Sequence, residues 1–177
     1  CRRLYEEVFA EDSPSFVDYY YTEKTRDNQI YTMIEDGEIR SMLHLNPYRL
    51  YVNGSEKDVN YIVAVATQKE YRKRGYMASL LKRSLRDMYQ AGGAFTFLMP
   101  ASESIYQPFG FRTVYEQEGK FYREEDEKDE GLAITDAKDP DCREIAEAAN
   151  RYLAGRYQVF AIRDTAYYLR LLREYES

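Results

Sequence analysis

A mixed α/β fold, in which an antiparallel β-meander is followed by a βαβ unit in one sheet, is predicted by three observations. Two dipeptides that tolerate positive φ, Asp36-Gly37 and Asn53-Gly54, stand between runs of alternating apolar and polar residues, as hairpin turns do. A β-branched run (Ile62, Val63, Val65) leads through a short polar connection to Gly75 and the strongly helical segment YMASLLKRSLRDMY. After Gly92-Gly93 the chain returns as AFTFLMP, a wholly apolar segment of the kind buried in a parallel pair.

The elements follow in order. Leu4, Tyr5, Val8 and Phe9 recur at helical spacing, and Ser13-Pro14 is a start signal for a second helix carrying Phe16, Val17 and Tyr20. These aromatic side chains are read as core packing. QIYTMI, IRSMLHL continuing into YRLYV, and DVNYIVAV make the three strands of the meander. The helix from about Gly75 to Gln90 places Met77, Leu80, Leu81, Leu85 and Met88 on one side, and Lys82, Arg83 and Arg86 on a solvated one. Gly92-Gly93 is its stop. Strand, helix and strand then form a βαβ unit, which is right-handed as a rule. Ser102 is placed to N-cap a short helix through Tyr106 that ends before Pro108, and FRTVYEQEGKFY reads as a final strand or strand pair. EEDEKDE is a charged linker or hairpin tip. Beyond it LAIT begins like a new strand, DPDCREIAEAANRYLAGRY is an amphipathic helix with Ile145, Ala149, Tyr152 and Leu153 on its apolar face, and TAYYLRLLREYES begins another.

Composition narrows the functional classes. The 177 residues are enough for one domain with a full core, or for one domain and a piece of another. A formal net charge of −6 argues against nucleic acid as a partner, because phosphate backbones demand a basic surface; it suits cationic substrates. No apolar run approaches the ~20 residues that span a bilayer, so no membrane association is expected. Two cysteines, Cys1 and Cys142, make no disulfide framework, and a reducing cytoplasm is the expected compartment. With His44 the only histidine, a site built on several histidines is ruled out, no metal is expected, and His44 itself reads as a strand residue. Nineteen tyrosines and no tryptophan put the phenol hydroxyl forward as a polar group.

The connection between Ile62 and the long helix carries the chemistry. Arg72, Lys73 and Arg74 precede Gly75, Tyr76, Met77 and Ala78 at a helix start, where free backbone N–H groups and the positive helix end favour an anion. Basic residues are mildly unfavourable at such an end, and a bound phosphate reconciles them with it. Gly75 removes a Cβ where backbone and phosphate approach closely. This strand–basic–glycine–helix order, Arg72-Lys73-Arg74-Gly75-Tyr76-Met77, resembles the acyl-CoA pyrophosphate motif Q/R-x-x-G-x-G/A of the GNAT superfamily of N-acyltransferases, with Met77 departing from the usual small final residue. IYQPFGF (Ile105 to Phe111) resembles the family's second signature, and the two together are similar to the Eis (enhanced intracellular survival) type, over residues 28–122.

The resemblance implies a GNAT-like fold and acetyl transfer from acetyl-CoA to a primary amine, on a small molecule or a lysine side chain. It implies that Val63, Ala64 and Val65 belong to a strand that splays from its neighbour and offers backbone groups to the pantetheine arm and the thioester carbonyl. Arg72 through Ala78 would hold the pyrophosphate, and Ala101 and Ser102 would complete the cofactor site. Tyr106 aligns with the family tyrosine that protonates the departing thiolate; the competing reading is a packing residue with a wetted hydroxyl. The sequence offers no general base; the Eis-type family uses a C-terminal carboxylate. Residues 1–122 are expected to form the acetyl-CoA-binding domain, 123–131 the linker, and 132–177 the start of a second GNAT-like module, so that these 177 residues would bind acetyl-CoA but acetylate poorly by themselves. The family tends to form rings, so a homo-oligomer is expected. An acyl-CoA-binding sensor without turnover and a plain interaction domain are the alternatives.

Overall fold

In a computed structural model describing residues 1–116 and 135–176, both hairpin turns take the geometry their dipeptides favour. Asp36 and Gly37 have φ of 54° and 75°, and Asn53 and Gly54 of 46° and 90°. Two successive positive φ values match the twist of the flanking strands. They join β1 (Gln29–Glu35), β2 (Glu38–Val52) and β3 (Ser55–Thr67) into the antiparallel meander. After α3 (Tyr76–Gln90), β4 (Thr96–Phe97) pairs parallel to β3, giving the order β1-β2-β3-β4. The sheet is therefore mixed, as expected.

The segment AFTFLMP contributes a much shorter strand than its apolar character suggests. Only Asn60↔Thr96 and Tyr61↔Phe97 pair, and residues 98–100 diverge from β3. The expected strand in FRTVYEQEGKFY is not found over residues 111–116, which have no regular secondary structure; the rest of that run, and residues 123–131, lie outside the described residues. Of LAIT only Thr135 is described, and it is not in a strand. A strand that local pattern did not announce, β5 (Val159–Ala161), pairs antiparallel with Leu50–Val52 of β2 on the edge that β1 also uses. β1 reaches only as far as Leu45, and the β5 side begins with the bond from Ile162 N–H to the Arg49 carbonyl (2.9 Å). Among the described residues the edge of β2 is thus unpaired at residues 46–48. Arg49 and Asn53 bond toward β5, so ladder alternation turns Pro47 toward that gap, and proline has no N–H to leave unpaired there.

Helices cover both faces. α1 (Arg2–Val8), α2 (Pro14–Tyr19) and a π-helical turn (Tyr20–Lys24) pack Leu4, Tyr5, Val17 and Tyr20 against Met42, Ala64 and Ala66. Ser13 caps α2 as expected, accepting from Phe16 N–H at 3.1 Å. On the other face Leu80, Leu81 and Met88 of α3 meet Leu43, Leu45 and Ile62, while Lys82, Arg83 and Arg86 are exposed. Complete burial of a side chain such as Leu81 is worth about 1.5–3 kcal/mol. α3 ends in a Schellman turn: Gly93 N–H donates to the Met88 carbonyl (2.9 Å), Gly92 N–H to that of Tyr89 (3.0 Å), and Gly92 has φ of 82°. α4 (Glu103–Tyr106) is the short helix before Pro108. α5 (Cys142–Ala154) turns Cys142 and Ala146 inward, leaving Tyr152 half exposed. α6 (Thr165–Tyr175) is capped by Asp164 and meets α2 where the Tyr19 hydroxyl donates to Glu174 Oε2 (3.0 Å).

One irregularity of β3 matters for the site. Met42 pairs with Ala66 and His44 with Val63, so Leu43 alone faces Ala64 and Val65. This is a β-bulge, and Ala64 has the positive φ (51°) of a bulge residue that is commonly glycine. The extra residue shifts the alternation. Ile62 and Val65 lie against α3, whereas Val63, Ala64 and Ala66 lie against α1 and α2. A small side chain at 64 fits a left-handed backbone with least crowding.

Candidate active site

Two features meet at the C-terminal end of β3. The first is a splay. β3 runs to Thr67, but its pairing with β4 ends at Tyr61, so along Ile62–Thr67 the backbone groups facing β4 have no ladder partner among the described strands. The bulge at Ala64–Val65 sits inside this unpaired stretch and bends the strand away. Val63, Ala64 and Val65 are thus at an opening in the sheet.

The second feature is the N-terminus of α3. Gly75 is its N-cap, with φ of 83°, and no side chain caps the helix. The first helical bond runs from Ser79 N–H to the Gly75 carbonyl (2.9 Å), which leaves the N–H groups of residues 75–78 outside the helical ladder. A Cβ at Gly75 would meet nothing within 4 Å, so glycine is required there by backbone conformation and not by local crowding. Amides outside the ladder and the positive end of the helix dipole are the features that favour an anion. Tyr76, Met77 and Ala78 are half-buried, while Arg72, Lys73, Arg74 and Gly75 are exposed.

The three basic residues are not equivalent. Arg72 Nε donates to the Thr67 carbonyl (3.1 Å), tying the connection back to the end of β3. Arg74 forms an ion pair with Glu35 (3.7 Å) and lies 4.5 Å from the Tyr71 ring centroid. Lys73 has no side-chain partner among the described residues, and its φ is 62°.

Tyr106 is buried, at 9% exposure, in the core formed with Leu43, Leu45, Ile62 and Leu81, and its ring meets Phe111 edge-on at 5.9 Å. Burial raises its phenol above the ordinary value, with a smaller contribution from Tyr61. A free thiol titrates near ~8.5 and a free phenol near ~10, so the shift widens their separation; a thiolate forming in the same low-dielectric setting would be raised by the same desolvation. The hydroxyl is held protonated, the state a general acid needs. Ser102 occupies the N-cap of α4 but its side chain makes no capping bond; Oγ pairs instead with Ser104 Oγ (2.9 Å), and Ala101 beside it is exposed.

Two cavities flank these elements, and neither is lined by residues 63–65 or 72–78. An apolar one of about 940 Å³ borders β4 and is lined by Tyr61, Phe97, Leu98, Tyr106, Phe109 and Phe111. A polar one of about 680 Å³ lies at the bare edge of β2, with Asn46, Pro47, Asn60, Gly93, Asp164 and Arg170 in its wall. Tyr106 thus opens toward the β4 side, while the start of α3 is an open surface. Sequence reasoning missed Glu35, Arg40 and Tyr71, which surround the basic connection. Arg40 and Glu35 are far from it in sequence, and only Tyr71, next to Arg72, offered a local signal. Among the described residues no group of His, Cys, Asp and Glu converges as metal ligands would, and no helix is long and apolar enough to cross a membrane.

Comparison with known proteins bears on the family and the fold. The acetyltransferase (GNAT) domain family matches residues 1–114. No curated protein matches the chain. Among solved structures, a probable N-acyltransferase from Enterococcus faecalis V583 is 22% identical with a TM-score of 0.58, over 62% of this chain and 28% of its own. Eis1 from Mycobacterium abscessus is 17% identical with a TM-score of 0.53, over 61% of this chain and 27% of its own. A GNAT family acetyltransferase from Brucella melitensis, in complex with acetyl-CoA, is 18% identical with a TM-score of 0.52, over 63% and 74%. At these identities the likeness is one of fold, and the match spans little more than a quarter of the Enterococcus and Mycobacterium proteins.

Proposed function

Because the chain belongs to the GNAT acetyltransferase family, we propose that it moves an acetyl group from acetyl-CoA to a primary amine, on a small molecule or a lysine side chain, within a ternary complex. The observation that carries this reading is the left-handed Gly75 opening α3, whose first four N–H groups have no partner among the described residues, beside a strand that leaves its neighbour. The amides of residues 75–78 and Lys73 take the diphosphate, and the unpaired edge of β3 takes the pantetheine arm. Acetyl-CoA supplies the activated thioester. Backbone N–H groups around Val63–Val65 orient its carbonyl and stabilise negative charge on the oxygen, and fixed donors of this kind work without reorganising. Tyr106 holds its proton until the thiolate departs.

The amine must be neutral to attack, and the Eis-type resemblance assigns that deprotonation to a C-terminal carboxylate. Residues 132–177 are read as the start of the second module, and a homo-oligomer in the cytoplasm as the working form. Isothermal titration of these residues with CoA, together with an acetylation assay of the full-length protein on a panel of aminoglycosides, polyamines and lysine peptides, tests the reading. Binding with turnover of one panel member is the expected result. Binding without any turnover would favour a sensor, and no binding would leave an interaction domain.

A further inference from the structure

The connection that presents Lys73 and the free amides is held from the sheet, and the residues that hold it have no other evident task. Arg40 is where the hold begins. Met33 pairs with Ser41 and Ile34 with Ile39, so Arg40 is the unpaired extra residue of a second bulge, in β2, and such a bulge re-aims a side chain. Its side chain is only 12% exposed. It donates from one terminal nitrogen to Glu38 (2.6 Å) and Gln68 (2.8 Å), and its guanidinium carbon lies 4.4 Å from the Tyr71 ring centroid. Gln68 N–H donates to the Arg40 carbonyl (2.9 Å), so backbone and side chain of one residue both meet the start of the connection. Arg74 approaches the same ring at 4.5 Å and is anchored by Glu35. The Tyr71 ring also stacks near Tyr76 in the first turn of α3, at 6.3 Å and 27°. A guanidinium that is desolvated against an aromatic face is held more tightly than one in water.

We propose that Tyr71, held by the guanidinium groups of Arg40 and Arg74, is the positioning residue of the diphosphate site, and that Arg74 serves the connection more than the ligand. The connection between β3 and α3 contains Lys73 at positive φ and Gly75 at positive φ, two conformations that an unrestrained chain seldom adopts together. Fixing Tyr71 from the sheet on one side and from Arg74 on the other narrows what lies between to that single geometry. The amides of residues 75–78 then point outward before the ligand arrives, which removes an ordering cost from binding. This proposal rests on the cofactor reading above.

The test uses the protein and its Tyr71→Leu, Tyr71→Phe and Arg40→Lys variants, with isothermal titration against CoA and against pantetheine, which lacks the diphosphate, and a thermal melt of each. The Phe variant keeps the aromatic face and the Lys variant keeps the charge. Tyr71→Leu and Arg40→Lys are expected to weaken CoA by about tenfold, in the range of two partly desolvated cation–π contacts, while pantetheine is unaffected and Tyr71→Phe binds like the parent. CoA affinity within about twofold of the parent in Tyr71→Leu would overturn the proposal, since loss of such contacts costs more than that. Equal weakening of CoA and pantetheine would overturn it as well, by showing a general loss of structure, as would a Phe variant as weak as the Leu variant. Failure of the parent itself to bind CoA would instead overturn the cofactor reading, and this proposal with it.

Discussion

The Tyr20 hydroxyl stands 3.0 Å from Nδ1 of His44, and the two rings stack at 5.8 Å with 21° between their planes. His44 is wholly enclosed, and its Nε2 has no partner among the described residues. Burial pushes the imidazole down to about 4, so the folded protein keeps it neutral where an unfolded chain would protonate it. Between pH ~6.5 and about 4 the unfolded state binds the extra proton, and stability therefore falls as pH falls through that window. A shift of this size amounts to about 3 kcal/mol by pH 4. Urea denaturation at pH 7.5, 5.5 and 4.5 should show a smaller acid loss in His44→Phe than in the parent. Identical acid losses would assign the sensitivity to other groups.

Ala64 opposite Leu43 gives a second expectation. Its φ of 51° suits glycine, and a β-branched residue resists it. Ala64→Gly should leave stability unchanged or raise it by up to about 1 kcal/mol, and Ala64→Val should lower it by about 1–3 kcal/mol or more. Denaturant midpoints decide. A valine variant as stable as the parent would mean that the bulge relaxes readily.

Gly75→Val tests the anion site. No atom lies within 4 Å of the added Cβ, so the strain is confined to the backbone, at about 1–3 kcal/mol, and the domain should remain folded. CoA affinity measured by calorimetry is expected to vanish, because a relaxed φ turns the amides of residues 75–78 away. Unchanged affinity would place the diphosphate elsewhere.

Tyr106→Phe keeps the ring in its apolar setting and removes only the hydroxyl. A group that acts as the thiolate leaves is missed in the transition state and not in ground-state binding. In the full-length enzyme turnover should drop by ~10²–10⁴-fold, with little change in KM for acetyl-CoA. A drop below about threefold, far under the general-acid range, would make Tyr106 a packing residue.

Much of the fold was legible because its signals are local. Asp36-Gly37, Asn53-Gly54, Ser13-Pro14 and Gly92-Gly93 each fix their own turn or cap by backbone preference, and the spacing of Leu80, Leu81 and Met88 marks the buried side of α3. The start of α3 at a left-handed Gly75 was legible for the same reason. What the sequence hid is non-local. Val159–Ala161 becomes a strand only because the edge of β2 is available to it, and AFTFLMP loses most of its pairing because β3 bends away at Ala64, a residue that announces no bulge. The division of labour among Arg72, Lys73 and Arg74 depends on Glu35 and Tyr71, and the register that brings Glu35 near is set by the whole meander.

The stretch of β2 at residues 46–48, unpaired among the described residues, has a consequence for the protein in crowded solution. A continuous free edge is a template on which another chain can add a strand, and such templates seed aggregation. Here β1 and β5 cover the two ends of β2, and the short window between them presents Pro47, which can accept a hydrogen bond but not return one. An incoming strand would find too few rungs to hold. Pro47 thereby acts as a gatekeeper, and changing it to valine would supply the missing rung and raise the tendency of the protein to self-associate.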